Sequence, residues 1–218
     1  MFEKIVLAAA AAMLAVSGIH DVAVPLEQND GYYIIVNRVE QEQNPNQDSG
    51  SIGRPDAVWF GEIEFIFARG TDAVVRDIVT GRTFEVRRTF GTNHADIEPL
   101  TKRDAEIMYE IWGGHSWERR AVSVYVGGYV FAGSLTNFPH AGVDGKPPLA
   151  VVNNRSGGYG RGMNFDAIAG NGVCGHMCLH FAGSLSHGNA VSSAAHQRRV
   201  AEAADWVGGR YLRLVSRE

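Results

Sequence analysis

The sequence predicts an α+β fold, mainly β with two helices. Glycine is abundant, 26 in 218 residues, and follows no repeat period, which suits short strands joined by turns. Alternating apolar runs flank Thr80-Gly81 and Gly127-Gly128, each a hairpin signal. Two further stretches have helical spacing between a start and a stop signal.

In chain order, the first segment is a targeting signal. Lys4 precedes an alanine-rich apolar run over 5–16, and Ala15-Val16-Ser17 supplies the small residues of a cleavage site, so 1–18 reads as a signal peptide. Residues 19–55 read as a short strand at 32–36 followed by a polar, flexible linker. A single folded domain then occupies 56–218. Within it, 58–67 alternates like a half-buried strand, and 74–78 pairs with 83–88. Thr101 and Asp104 form a capping box for a helix carrying Ile107, Met108 and Ile111, stopped by Gly113-Gly114. A second hairpin joins 121–126 to 129–135. The stretch 147–162, with Pro147-Pro148, Asn153-Asn154 and Gly157-Gly158, reads as an irregular insertion of the lid or binding-loop kind. A second helix starts at Ser193, carries Ala195, Val200, Ala203 and Val207, and ends at Gly208-Gly209. Residues 211–215 read as a closing strand.

The net charge of −4 gives no basic footprint for nucleic acid. The apolar run of the signal is too short to remain as a membrane span, so the mature protein is expected in the periplasm, the extracellular space or the cell wall. Export gives Cys174 and Cys178 two readings: a tight local disulfide, or one reactive thiol beside a bystander.

The chemistry centres on His176-Met177-Cys178-Leu179-His180. In an extended strand His176, Cys178 and His180 share one face, and His187 follows closely. A thiol beside an imidazole passes its proton across to become a nucleophile, a route that usually lowers the thiol pKa. The plain alternative is a set of hydrogen-bonded structural histidines. His94, Asp96 and Glu98 form a second polar cluster, read either as cleft or metal-binding residues or as a cap for the helix after Thr101.

The run 176–181 resembles the nucleophile motif of L,D-transpeptidases of the YkuD type, and Pro139-His140-Ala141-Gly142 resembles the upstream histidine motif of that family. The sequence differs from the family pattern at Gly175, Met177 and His180, and the 147–162 insertion lengthens the His140–Cys178 spacing. A wider likeness to a group of exported bacterial proteins rests on Asn93-His94-Ala95-Asp96-Ile97-Glu98-Pro99, Ser116-Trp117-Glu118-Arg119-Arg120 and 180–184. The resemblance implies an L,D-transpeptidase-like domain acting on the peptidoglycan stem peptide, with no metal and no cofactor. Cys178 would form a thioester, His140 would serve as base, and His176 would orient the thiol. Arg120, His180 and His187 would bind substrate, Arg120 through carboxylate-matching geometry. Two rival readings are a zinc-dependent envelope peptidase built on the histidines and a non-catalytic envelope-binding module. No metal-ligand spacing of recognised strength supports the first.

Overall fold

The computed structural model describes residues 50–215, with side chains through residue 210. The signal segment and the strand expected at 32–36 lie outside the described residues. In chain order the strands begin with β1 (Ile52–Arg54), β2 (Asp72–Asp77), β3 (Thr83–Phe90), β4 (Ala95–Pro99) and β5 (Arg120–Val126). They continue with β6 (Tyr129–Leu135), β7 (His140–Ala141), β8 (Val151–Arg155), β9 (Gly160–Met163) and β10 (Gly175–His180). The helices are a short α1 (Glu64–Ile66), α2 (Lys102–Trp112) and α3 (Ala194–Val215).

Six strands close a barrel in the order β6-β5-β2-β3-β4-β10, with β10 pairing back onto β6. Period-two alternation decides what fills it. Val75, Val86, Ile97, Phe131, Met177 and Leu179 point inward and are fully or almost fully buried. The alternate residues of β5 and β6 point outward, where Ala121, Val130 and Ala132 meet Val200, Ala203 and Val207 of α3. The mainly β, α+β class holds, and both hairpins form close to their expected bounds. Thr101 caps α2 through a capping box with Asp104, and Gly113 ends it in the left-handed conformation, φ 68°.

Three expectations are corrected. Residues 58–67 are not a strand: helical turns run over Trp59–Ile63 and α1. Phe60 (ψ 129°) and Gly61 (φ 83°) kink the turn, and Trp59, Ile63 and Phe67, spaced four apart, are all buried at 0% exposure, a spacing that outweighs the local alternation. Arg88 fixes the turn by donating to the carbonyls of Glu64 and Phe67 at 2.8 and 2.7 Å. The linker expected through Pro55 ends earlier, because β1 pairs in parallel with β6. Finally, no strand forms over 211–215. Helix α3 runs through Gly208-Gly209 to Val215, with Gly208 lying against Pro55 instead of stopping the helix. A glycine inside a helix costs only about 1 kcal/mol, which the packed α3 face offsets. Among the described residues no helix is long and apolar enough to cross a membrane.

Candidate active site

The site lies on the face of β10 that points away from the barrel core. Met177 and Leu179 face inward, so His176, Cys178 and His180 face out. Directly opposed residues of an antiparallel pair share a face, and the register of β10 against its neighbours therefore assembles the rest. Cys178 lies opposite Asp96 of β4, and His176 lies opposite His140 of β7. After β6 the chain leaves the ladder for 136–139 and rejoins β10 at β7, which brings His140 alongside the thiol.

The thiol sulfur of Cys178 lies 3.7 Å from Nε2 of His140. Nδ1 of His140 is 3.0 Å from the Phe138 carbonyl, which can only accept, so Nδ1 carries the proton and Nε2 presents its lone pair to the sulfur. The ring is held between Trp117 and Tyr159, at centroid distances of 4.9 and 5.2 Å. The tight turn Ser156–Gly158 also presses on it: a Cβ at Gly157 would lie 2.9 Å from Cβ of His140. The insertion thus packs against the base. It contains the β8–β9 hairpin rather than irregular chain throughout.

Asp96, 3% exposed, is the hub of the surrounding imidazoles. Its carboxylate lies 3.1 Å from His187 Nε2, 3.3 Å from His94 Nε2 and 3.7 Å from His176 Nε2. Burial would raise its pKa, but the His187, His94 and His176 imidazoles outweigh burial and hold the carboxyl well below the ordinary range. Burial also lowers His140, and lowers His176 to about 4, so both rings are neutral near pH 7. Cys178 is 8% exposed, and burial, together with the charge of Asp96, pushes its thiol well above the ordinary value. The lowered thiol pKa suggested by the flanking histidines is therefore corrected. The resting pair is thiol and neutral imidazole.

His180 does not reach the pocket. Its ring is stacked between His94 and His196, at centroid distances of 4.1 and 3.8 Å, and His196 Nδ1 meets Ser134 Oγ at 2.8 Å. Arg120 is also elsewhere. Its guanidinium grips fully buried Asp77 through two contacts of 2.8 and 3.0 Å, and substrate binding by Arg120 is corrected to a structural ion pair. His187 does line the pocket, a cavity of about 390 Å³ that also takes in His140, His176, Asp96 and Tyr159. Arg69 and Arg155 stand at its wall, donate to main-chain carbonyls, and have no carboxylate partner among the described residues. The sequence did not single out these two arginines, nor His196; each belongs to a segment whose neighbours only the fold supplies. Asp96 was visible through its alternation with His94 and Glu98. The helix-cap reading of that trio is corrected, since all three are buried and Asp96 and Glu98 lie on β4.

Cys174 and Cys178 are both free thiols, the first exposed and the second buried. Two overlapping donor sets approach metal-binding geometry: His140, His176, Cys178 and His187, and alternatively His94, Asp96, Cys178 and His187, with donor atoms within 4.8 Å of one another in each. No family model, curated protein or solved structure matches the chain.

Proposed function

We propose that this protein is an exported cysteine acyltransferase of the cell envelope, L,D-transpeptidase-like in its chemistry, acting on peptidoglycan stem peptides. The observation that carries the reading is the Cys178–His140 pair, 3.7 Å apart with the imidazole tautomer set to accept a proton. A neutral pair of this kind works by general-base attack, not from a preformed thiolate. The Cys178 sulfur adds to the amide carbonyl between the third and fourth stem residues as its proton passes to His140 Nε2. That proton then goes to the departing amine, the C–N bond breaks, and a thioester remains. An acceptor amine, or water in a carboxypeptidase, attacks the thioester, gives its proton to His140, and restores the thiol. The cavity suits an anionic peptide, because Arg69 and Arg155 face it without carboxylate partners among the described residues.

The test is incubation of the protein with a disaccharide-tetrapeptide, followed by mass spectrometry. The expected result is an acyl adduct on Cys178 and a cross-linked or trimmed product, both lost in Cys178→Ala. Product formation that survives Cys178→Ala would overturn the cysteine mechanism. Peptide binding without adduct or product, in wild type and variant alike, would point instead to the binding module.

A further inference from the structure

Three histidines around Cys178 are held in the same way. His94 Nδ1 meets the Leu185 carbonyl at 2.7 Å, His140 Nδ1 meets that of Phe138 at 3.0 Å, and His176 Nδ1 meets that of Phe165 at 3.4 Å. A carbonyl only accepts, so each ring spends its proton at Nδ1 and turns a bare Nε2 lone pair inward. The lone pair of His140 meets the Cys178 thiol, but those of His94 and His176 find no donor. Nε2 of His94 and of His176 are buried without a hydrogen-bond partner. A buried polar atom left unpaired is costly, because it has given up water without a replacement. His176 Nε2 shares one small space with donor atoms of His140, Cys178 and His187, and a cation placed there gives the orphaned nitrogen a partner.

From this geometry we infer that His140, His176, Cys178 and His187 form a binding site for a zinc-class divalent cation, with Asp96 as the carboxylate behind the imidazoles. The four donor atoms lie within 4.8 Å of one another. A tetrahedral zinc ion with bonds of about 2.0–2.3 Å separates its nitrogen and sulfur ligands by roughly 3.6 Å. The Cys178–His140 separation is already 3.7 Å. The remaining donors need only a small closure, and His187, half-exposed on a loop, is placed to make it. Ring nitrogens donated to backbone carbonyls are the outer support that metal-bound imidazoles use. Entry is open, because His140, His176 and His187 all line the cavity.

Binding releases the thiol proton to solvent as the sulfur–metal bond forms, together with any proton that His187 Nε2 holds against Asp96. One thiolate and three neutral imidazoles leave a net single positive charge, and the Asp96 carboxylate stands 3.7 Å from His176 Nε2 to offset it. Four protein ligands leave no open coordination position, so this is a capping site and not that of a metallopeptidase. The inference goes beyond the acyl-transfer reading and stands without it. If both hold, the metal masks the nucleophile.

The test uses the full chain freed of metal by a chelator, then titrated with Co²⁺ and, separately, Zn²⁺. One equivalent of Co²⁺ should bind with intense four-coordinate visible bands and a thiolate-to-cobalt charge-transfer band that Cys178→Ser removes. Zn²⁺ should slow iodoacetamide labelling of Cys178 at least about tenfold while Cys174 labels unchanged, an internal control that needs no variant. Failure to bind one equivalent, a cobalt spectrum without the charge-transfer band, or unchanged Cys178 labelling at saturating zinc would each overturn the site. An acyl adduct in metal-free protein that binds no cobalt defeats the metal site alone. Stoichiometric cobalt with no adduct defeats the acyl-transfer reading alone.

Discussion

The Cys178 thiol keeps its proton at rest because burial denies a thiolate its hydration and because the Asp96 carboxylate beside it repels a second negative charge. Two outcomes follow at this scale. In native, metal-free protein at pH 7, Cys178 should alkylate more slowly than exposed Cys174 and more slowly than it does after unfolding. Its rate should still be climbing beyond the ordinary thiol range, as peptide mapping of labelled protein would record. A native Cys178 that outpaces the unfolded thiol would mean a thiolate at rest. Replacing His140 by Gln removes the proton acceptor but not the sulfur, so adduct formation should fall by about 10²–10⁴-fold, the usual worth of a general base. The measurement is the single-turnover rate with the disaccharide-tetrapeptide. Residue types on β10 were legible from the sequence, since alternation alone places His176, Cys178 and His180 on one face. The division of labour among them was not: His180 is consumed by stacking with His94 and His196, a contact set by the packing of α3.

At the scale of elements, β7 decides whether there is a site at all. Gly175 pairs with Ala141, and its φ of 94° together with the approach of the His140 carbonyl leaves no room for a side chain: a Cβ would lie 2.2 Å from that oxygen. The substitution Gly175→Ala must therefore push β7 away from β10 and carry His140 off the thiol. Adduct formation should drop as far as in His140→Gln, with a stability loss of about 1–3 kcal/mol for the forced backbone. Full acylation activity in Gly175→Ala would show that the β7 register does not matter. By contrast, Arg120→Ala breaks the pair with buried Asp77 at the β2–β5 edge and should cost about 3–5 kcal/mol in denaturant unfolding. Its acylation rate, measured well below the unfolding midpoint, should be unchanged. Much at this scale was readable beforehand, because hairpins and caps are local: Thr80-Gly81, Gly127-Gly128 and the Thr101 box needed no distant partner. The failures were the elements that depend on one. Trp59 to Phe67 coils because Arg88, far along the chain, collects its carbonyls, and α3 passes its two glycines because Pro55 packs there.

For the whole molecule, the stability–pH curve is the sum of buried groups that pull in opposite directions. His196, on α3 against Ser134 and His180, is lowered by burial and then by the charge of Arg119 to about 3. The unfolded chain binds the proton more readily, so the contribution of His196 is intact above the ordinary 6.5 and shrinks as pH falls below it. By pH 5 the loss is about 2 kcal/mol. Glu98 has the opposite sign. Burial raises it to about 7 against the hydrogen bonds it accepts from the Ile168 and Ala167 amides. Its contribution is full below the ordinary 4.5 and disappears as pH climbs through 7, so pH 5 gains about 2–3 kcal/mol relative to pH 8. Both side chains are buried, on opposite flanks of the Cys178 strand. Urea unfolding of wild type, His196→Gln and Glu98→Gln at pH 5 and pH 8 separates them. His196→Gln should raise stability at pH 5 relative to pH 8, and Glu98→Gln should lower it by a similar amount. If the two substitutions tilt the curve the same way, one of the two groups is not buried in the charge state assigned to it; if both leave it flat, neither is, and the polar face of β10 is wetter than its packing implies.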